Sequence, residues 1–275
     1  MNSVVLLRAV DDAELAQGVW GDTCRLDEPS VVALSLALSL RRDAGGQVQG
    51  VAMGPPEWDA ALREARAMGV DAVTRAWGGE LAEAGIGGTA RVLAEAVPAG
   101  TDVVFAGGAA SDHGSGVLAG ALAEVLGWPL LQEVTAVEGG EGYLVAQVRA
   151  GGGVRQTYRV PARVVLVAAR MPAPAFYPRL ATRLAARREA VAAREVAHPV
   201  SAGERFELVG YGPARPLTRQ LLKPSAAAKP AERLRQLMSG GMGGRGGKTL
   251  EAATEGGIAR QLADLLAKEG LIRGE

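Results

Sequence analysis

The sequence predicts an α/β fold built on a parallel sheet covered on both faces. Three observations point there. Short strand-like runs at residues 4–7, 48–53, 70–76 and 102–106 alternate with helix-length segments. The first and fourth of these runs are almost continuously apolar, as strands buried on both faces must be. Glycine or proline follows several of the elements, notably Gly54-Pro55-Pro56 after the second run and Gly107-Gly108 after the fourth. Regular strand–helix alternation of this kind is the signature of a parallel sheet.

In chain order, Val4-Val5-Leu6-Leu7 reads as a buried strand, and residues 30–42 as a helix with Ser30 near its start. The strand 48–53 is followed by an amphipathic helix over 57–68, with Ala60, Leu62, Ala65 and Met68 toward the core. A strand over 70–76 precedes a helix over 88–97, and 102–106 is the fourth strand. The pattern changes after Pro129. Residues 143–149 alternate polar and apolar, Gly151-Gly152-Gly153 turns the chain, and 154–160 returns, which predicts an antiparallel hairpin. A further buried strand is expected at 164–167, and Pro172, Pro174 and Pro178 hold the next stretch extended. Residues 180–195 read as helical. Residues 211–247, rich in Pro, Ala and Gly, read as an arm or linker with one short helix over 231–238, and 257–269 as a closing amphipathic helix.

The composition narrows the function. Thirty basic and thirty acidic residues cancel, with a pI near 6.8, and aromatics are only 4%. Neither a basic nucleic-acid surface nor rows of base-stacking rings are expected. One cysteine, Cys24, excludes an intrachain disulfide, and with only His113 and His198 a histidine-ligated metal is not expected. The N-terminus lacks a signal-peptide pattern, and no apolar run approaches the roughly 18 residues of a membrane span. The expectation is a soluble, cytoplasmic protein. Thirty-eight glycines among 275 residues, about twice the usual ~7%, suit a backbone that approaches a ligand closely.

The most informative loop follows the fourth strand: Gly107-Gly108-Ala109-Ala110-Ser111-Asp112-His113-Gly114-Ser115-Gly116, leading through Val117 and Leu118 into a helix. That helix has its apolar positions at Val117, Leu118, Ala121, Leu122, Val125 and Leu126. Ligands of open α/β sheets sit at the carboxyl ends of the strands, and N–H groups at a helix start favour phosphate. Ser115 offers a hydroxyl, and Asp112 either caps the helix or holds a sugar hydroxyl. The same residues also suit a glycine-rich turn without a ligand. Two look-alikes are set aside. Ser111, Asp112, His113 and Ser115 carry the residue types of a hydrolase triad, but sequence neighbours rarely converge on one point and no nucleophile elbow is present. The run 241–249 resembles a P-loop, yet Met242 stands where glycine is required.

Arg179, Arg183 and Arg187 recur every four residues, with Arg188 and Arg194 nearby; against Glu189 and Glu195 the local charge is +3. Beside Leu180 and Leu184 this stripe is either a solvated face or a docking surface with a leucine anchor in a charged rim.

Taken together, these segments resemble the beta subunit of electron transfer flavoproteins. The family's Lys-x-Val-Pro-Asp is similar to Arg8-Ala9-Val10-Asp11-Asp12. Its Gly-Pro, then Ala-Leu-Arg-Glu-Ala-x-Ala-Met-Gly-Ala-Asp, resembles Gly54-Pro55 and the run from Ala61 to Asp71. Its loop G-x-Q-A-x-D-x-D-x-x-Q-x-G aligns without gaps on 107–119, Leu-Ala-Glu-x-Leu-Gly-x-Pro on 122–129, the Gly-Gly hairpin on 148–167, and Tyr-Pro-x-Leu on 177–180.

The resemblance implies a HUP-like (adenine nucleotide alpha hydrolase-like) domain over 1–200, with a recognition loop at 172–188. It implies a C-terminal arm and helix over 201–275 that dock on a larger alpha subunit. It further implies a heterodimer carrying FAD, held mainly by the alpha subunit and reduced by flavin dehydrogenases, with AMP or a second FAD bound by this chain. By position, that pocket would involve Leu6, Asp27, Glu28, Pro29, Ser30, Met53 and the loop from Gly107 to Leu118, and the docking leucine matches Leu180. Ala109, Gly114 and Val117 replace the family's Gln, Asp and Gln, so phosphate contact would fall to backbone N–H groups and Ser115. The alternative class is a free-standing HUP-fold protein that binds or hydrolyses ATP.

Overall fold

The computed structural model describes residues 1–11, 24–78, 81, 84–110, 114–140, 142–172, 178–196 and 254–268. The chain divides into two compact units, Met1–Leu208 and Val209–Glu275. Among the described residues the first unit holds a nine-stranded sheet in the order β11-β5-β4-β1-β6-β10-β7-β8-β9. The strands are β1 (Ser3–Leu7), β4 (Val48–Met53), β5 (Ala72–Trp77), β6 (Val103–Ala106), β7 (Leu130–Gly139), β8 (Tyr143–Arg149), β9 (Arg155–Pro161), β10 (Val164–Ala168) and β11 (Ala192–Glu195). A separate ribbon pairs β2 (Ala9–Asp11) with β3 (Cys24–Leu26). From β11 to β7 every pairing is parallel; β7-β8 and β8-β9 are antiparallel. The expected α/β architecture with its antiparallel hairpin is what the chain adopts.

The side-chain alternation of β1 explains the two layers. Val5 and Leu7 face a core shared with α1 (Glu28–Ala44) and α2 (Asp59–Met68). Val4 and Leu6 face the opposite core, shared with α3 (Ile86–Ala96) and α4 (Leu118–Leu126). Period-2 burial on two covered faces is why the run is apolar throughout. The helix α5 (Leu180–Arg188) packs on α2. In the second unit the described element is α6 (Glu255–Lys268), which exposes Ile258 and Leu262.

Several expectations need correction. The helix over 180–195 ends at Arg188: Glu189 turns extended, and Ala192–Glu195 becomes an edge strand parallel to β5. An open row of backbone groups on β5 outweighs the helix propensity of Ala and Arg. In α4 the buried positions are Ala119, Leu122 and Ala123, while Val117 and Val125 are about half exposed. Small alanines, not the branched residues, let the helix approach the sheet. In α2, Ala61 and Ala67 are buried, and Ala60 and Met68 only half-buried.

Helix α1 starts at Glu28, after Asp27, so Ser30 is not its cap; the Ser30 hydroxyl instead accepts the backbone N–H of Arg8 at 3.0 Å. β7, β11 and the β2-β3 ribbon are elements that the apolar pattern does not announce. The arm at 211–247, the helix at 231–238, the run 241–249 and residues 173–177 lie outside the described residues.

Candidate nucleotide cleft and docking helix

The strand order places a topological switch between β1 and β6. From β1 the chain moves outward through α1 to β4 and through α2 to β5; it then returns to β6 on the other side of β1. Loops leaving two such strands diverge to opposite faces and open a crevice at the carboxyl edge. In register, Leu6 lies beside Val51, Val5 beside Phe105, and Val167 beside Ala106. Met53 and Gly107 therefore close the neighbouring strand ends around Leu6.

Three backbone contacts shape this edge. The N–H of Asp27 donates to the Arg8 carbonyl at 2.9 Å, which folds the β2-β3 excursion back and seats the first turn of α1 against the end of β1. A Cβ on Gly107 would stand 2.6 Å from Pro29 Cβ and 2.9 Å from its carbonyl carbon, so only glycine lets the two loops meet. Gly116, at φ +65°, lies against the Gly108 carbonyl, with 3.0 Å left for a Cβ. The structure thus brings Pro29 and Gly107 together, one from each of the two segments, 27–30 and 107–118, that the sequence singled out. Ser111, Asp112 and His113 lie outside the described residues.

The two helix starts at this edge differ electrostatically. Asp27 and Glu28 already place carboxylates at the start of α1. The first turn of α4 carries no acidic residue, and Val117, its N-cap, makes no side-chain cap bond. With no carboxylate in its first turn, the positive end of the α4 dipole is the anion-compatible one. Leu6 is 8% exposed and Met53 half-buried, so at this edge both offer apolar surface rather than polar contacts.

The sequence reading missed two residue pairs beside this edge. The Arg8 guanidinium lies 5.9 Å from the centroid of the Trp58 ring, at the end of a 3-10 turn over Pro56–Trp58. Arg75, 7% exposed on β5, donates from Nε to Asp59 Oδ1 at 2.6 Å and from Nη1 to the Gly54 carbonyl at 3.4 Å. The available signal was an arginine among mostly apolar residues of a strand, since a buried cation requires a partner.

The second region is α5. Leu180 is 71% exposed and Leu184 43%, one turn apart, while Ala186 is the helix's buried residue. Of the predicted arginines, Arg179 is the exposed N-cap and Arg183 pairs with Glu64 on α2. Arg187 is half-buried.

With this geometry established, the family comparison is decisive: the electron transfer flavoprotein domain matches residues 22–199, well over half of the chain. The chain belongs to the electron transfer flavoprotein domain family. Its relatives lie on the beta-subunit side of that family. An electron transfer flavoprotein subunit beta from Thermoanaerobacterium thermosaccharolyticum is 33% identical over 147 residues, 50% of this chain and 56% of the relative. Another, from Clostridium acetobutylicum, is 36% identical over 151 residues, 50% of this chain and 57% of the relative. The chain thus spans a little over half the length of the curated relatives it matches. Among the described residues of this flavoprotein-family chain, no helix is long and apolar enough to cross a membrane.

Proposed function

We propose that this chain is the beta subunit of a heterodimeric electron transfer flavoprotein, binding an adenine nucleotide at the β1/β6 edge and presenting Leu180 to flavin dehydrogenases. The observation that carries the cleft is the approach of Gly107 to Pro29, which joins the two predicted binding segments at the switch point of the sheet. The residues present suit an adenosine phosphate. Leu6 and Met53 give an apolar surface for the base. Asp27, 1% exposed, seats the start of α1 at this edge. Backbone N–H groups from Gly114 to Leu118, with Ser115, suit phosphate. AMP is placed ahead of a second FAD because it is the usual occupant in the family this chain resembles.

FAD, shared with the alpha subunit, supplies the redox chemistry when bound; this chain's residues bind, orient and present. In this reading residues 1–200 form the nucleotide-binding domain, and 201–275 reach to the alpha subunit. Leu180 enters a pocket of the dehydrogenase, and exposed arginines such as Arg179 steer the encounter.

Co-expression with an alpha subunit tests the assignment. The expected product is a yellow heterodimer that on denaturation releases one FAD and one AMP, read by mass. Two FAD would put a flavin in the cleft, and FAD without any second adenine compound would overturn the cleft assignment. A colourless monomer indifferent to every alpha subunit would overturn the subunit assignment.

A further inference from the structure

Helix α5 is fastened to its unit in an unusual way. A nine-residue helix ordinarily docks through an apolar stripe, but here only Ala186 is buried. Its other contacts with α2 include polar links at two places. Arg183, in the middle of α5, pairs with Glu64. Glu189, which ends α5, is held from two arginines of α2: Arg66 contacts its carboxylate at 2.6 Å, and Arg63 Nε donates to its backbone carbonyl at 2.9 Å. The second grip also places two cations at the carboxyl end of the helix, where the dipole favours them. Side-chain exposures in these pairs run from 26% to 50%, so the pairs are reached by water and salt.

We propose that Glu64, Arg66 and Glu189 are positioning residues that latch α5 onto α2 electrostatically, holding the face with Leu180 and Leu184 outward in a salt-sensitive way. This assigns Arg183 to the latch rather than to steering. The functional meaning rests on the docking role proposed above for Leu180; the latch itself does not.

Hydrogen exchange on the purified full chain, with no dehydrogenase present, separates the two. Exposed pairs contribute about 0.2–1 kcal/mol each. At about 1.4 kcal/mol per decade, Glu64→Gln and Arg66→Gln should each speed exchange of the 180–188 amides by up to about fivefold. The amides of β1 and β6 should not change. The swap Glu64→Arg with Arg183→Glu should return α5 to near the parent rate, which a purely steric role of these side chains would not do. Raising salt from about 0.05 M to about 0.5 M should loosen α5 in the parent and have less effect on the double variant Glu64→Gln/Arg66→Gln. Unchanged α5 exchange in that double variant, a swap that fails to restore protection, or a rise spread equally over β1 and β6 would each overturn the latch. Leu180→Ala should leave α5 exchange unaltered, so failure of the docking role would show in electron-transfer kinetics alone.

Discussion

Phe105, on the strand that ends at the cleft, is completely buried, as are Val5 and Leu166 on its neighbours; α5, in the same unit, buries a single alanine. The cleft edge is set by close-packed strands and by a glycine that tolerates no Cβ. Helix α5 is held largely by arginine–carboxylate pairs that water can reach. Interiors packed at crystal density resist displacement, whereas exposed ion pairs yield at small cost. The proposed nucleotide site would call for the first construction, and the proposed transient docking surface would tolerate the second.

Substitutions should expose that contrast. The largest loss is expected at the cleft side, from Asp59→Ala, which strands the buried Arg75 guanidinium. Breaking a buried pair costs about 3–5 kcal/mol, and the partial exposure of Asp59 favours the lower end. The denaturation midpoint should fall sharply, with a smaller fall for Arg75→Met, which removes the charge as well. Gly107→Ala should cost about 1–3 kcal/mol by overpacking against Pro29. It should also reduce the AMP recovered from the denatured heterodimer; full recovery at the parent midpoint would mean that the loops do not need this approach.

On the α5 side the expected changes leave folding alone. Leu180→Ala should not move the denaturation midpoint, because the side chain is exposed. Electron transfer under limiting dehydrogenase should slow about tenfold or more, since burying a leucine at an interface is worth roughly 1.5–3 kcal/mol. The smallest effect is expected from Arg179→Gln, a change of about twofold at low salt that vanishes at high salt. An Arg179 effect that persists in high salt would place that side chain inside the contact rather than on its rim.

The centre of the fold was legible because β1, β6 and β10 are short runs of Val, Leu, Phe and Ala, buried on both sides. The glycine-rich turn after β6 was legible for a related reason: Gly107-Gly108 directly follows such a strand and marks its end. β7 was not. Glu133 sits at φ +58°, and the pairing with β8 shifts between Val134 and Ala136. Val134 and Val137 are therefore both buried although three positions apart, which breaks the two-residue period that marks a strand. β11 was hidden differently. Ala192-Ala193-Arg194-Glu195 is exposed throughout and favours a helix locally; only the free edge of β5, more than a hundred residues earlier, makes it a strand. The Glu64–Arg183 pairing was equally non-local, so the arginine stripe read as uniform although Arg183 is committed to Glu64.

The position of α5 between β10 and β11 has a consequence for reversibility. Both flanking strands are hydrogen-bonded into one sheet, so a detached α5 remains a closed loop held at both ends. Re-docking on α2 is then intramolecular, at an effective concentration on the order of millimolar or higher. A pulse of high salt would loosen the helix and, once diluted, return it to the same seat without any bimolecular search.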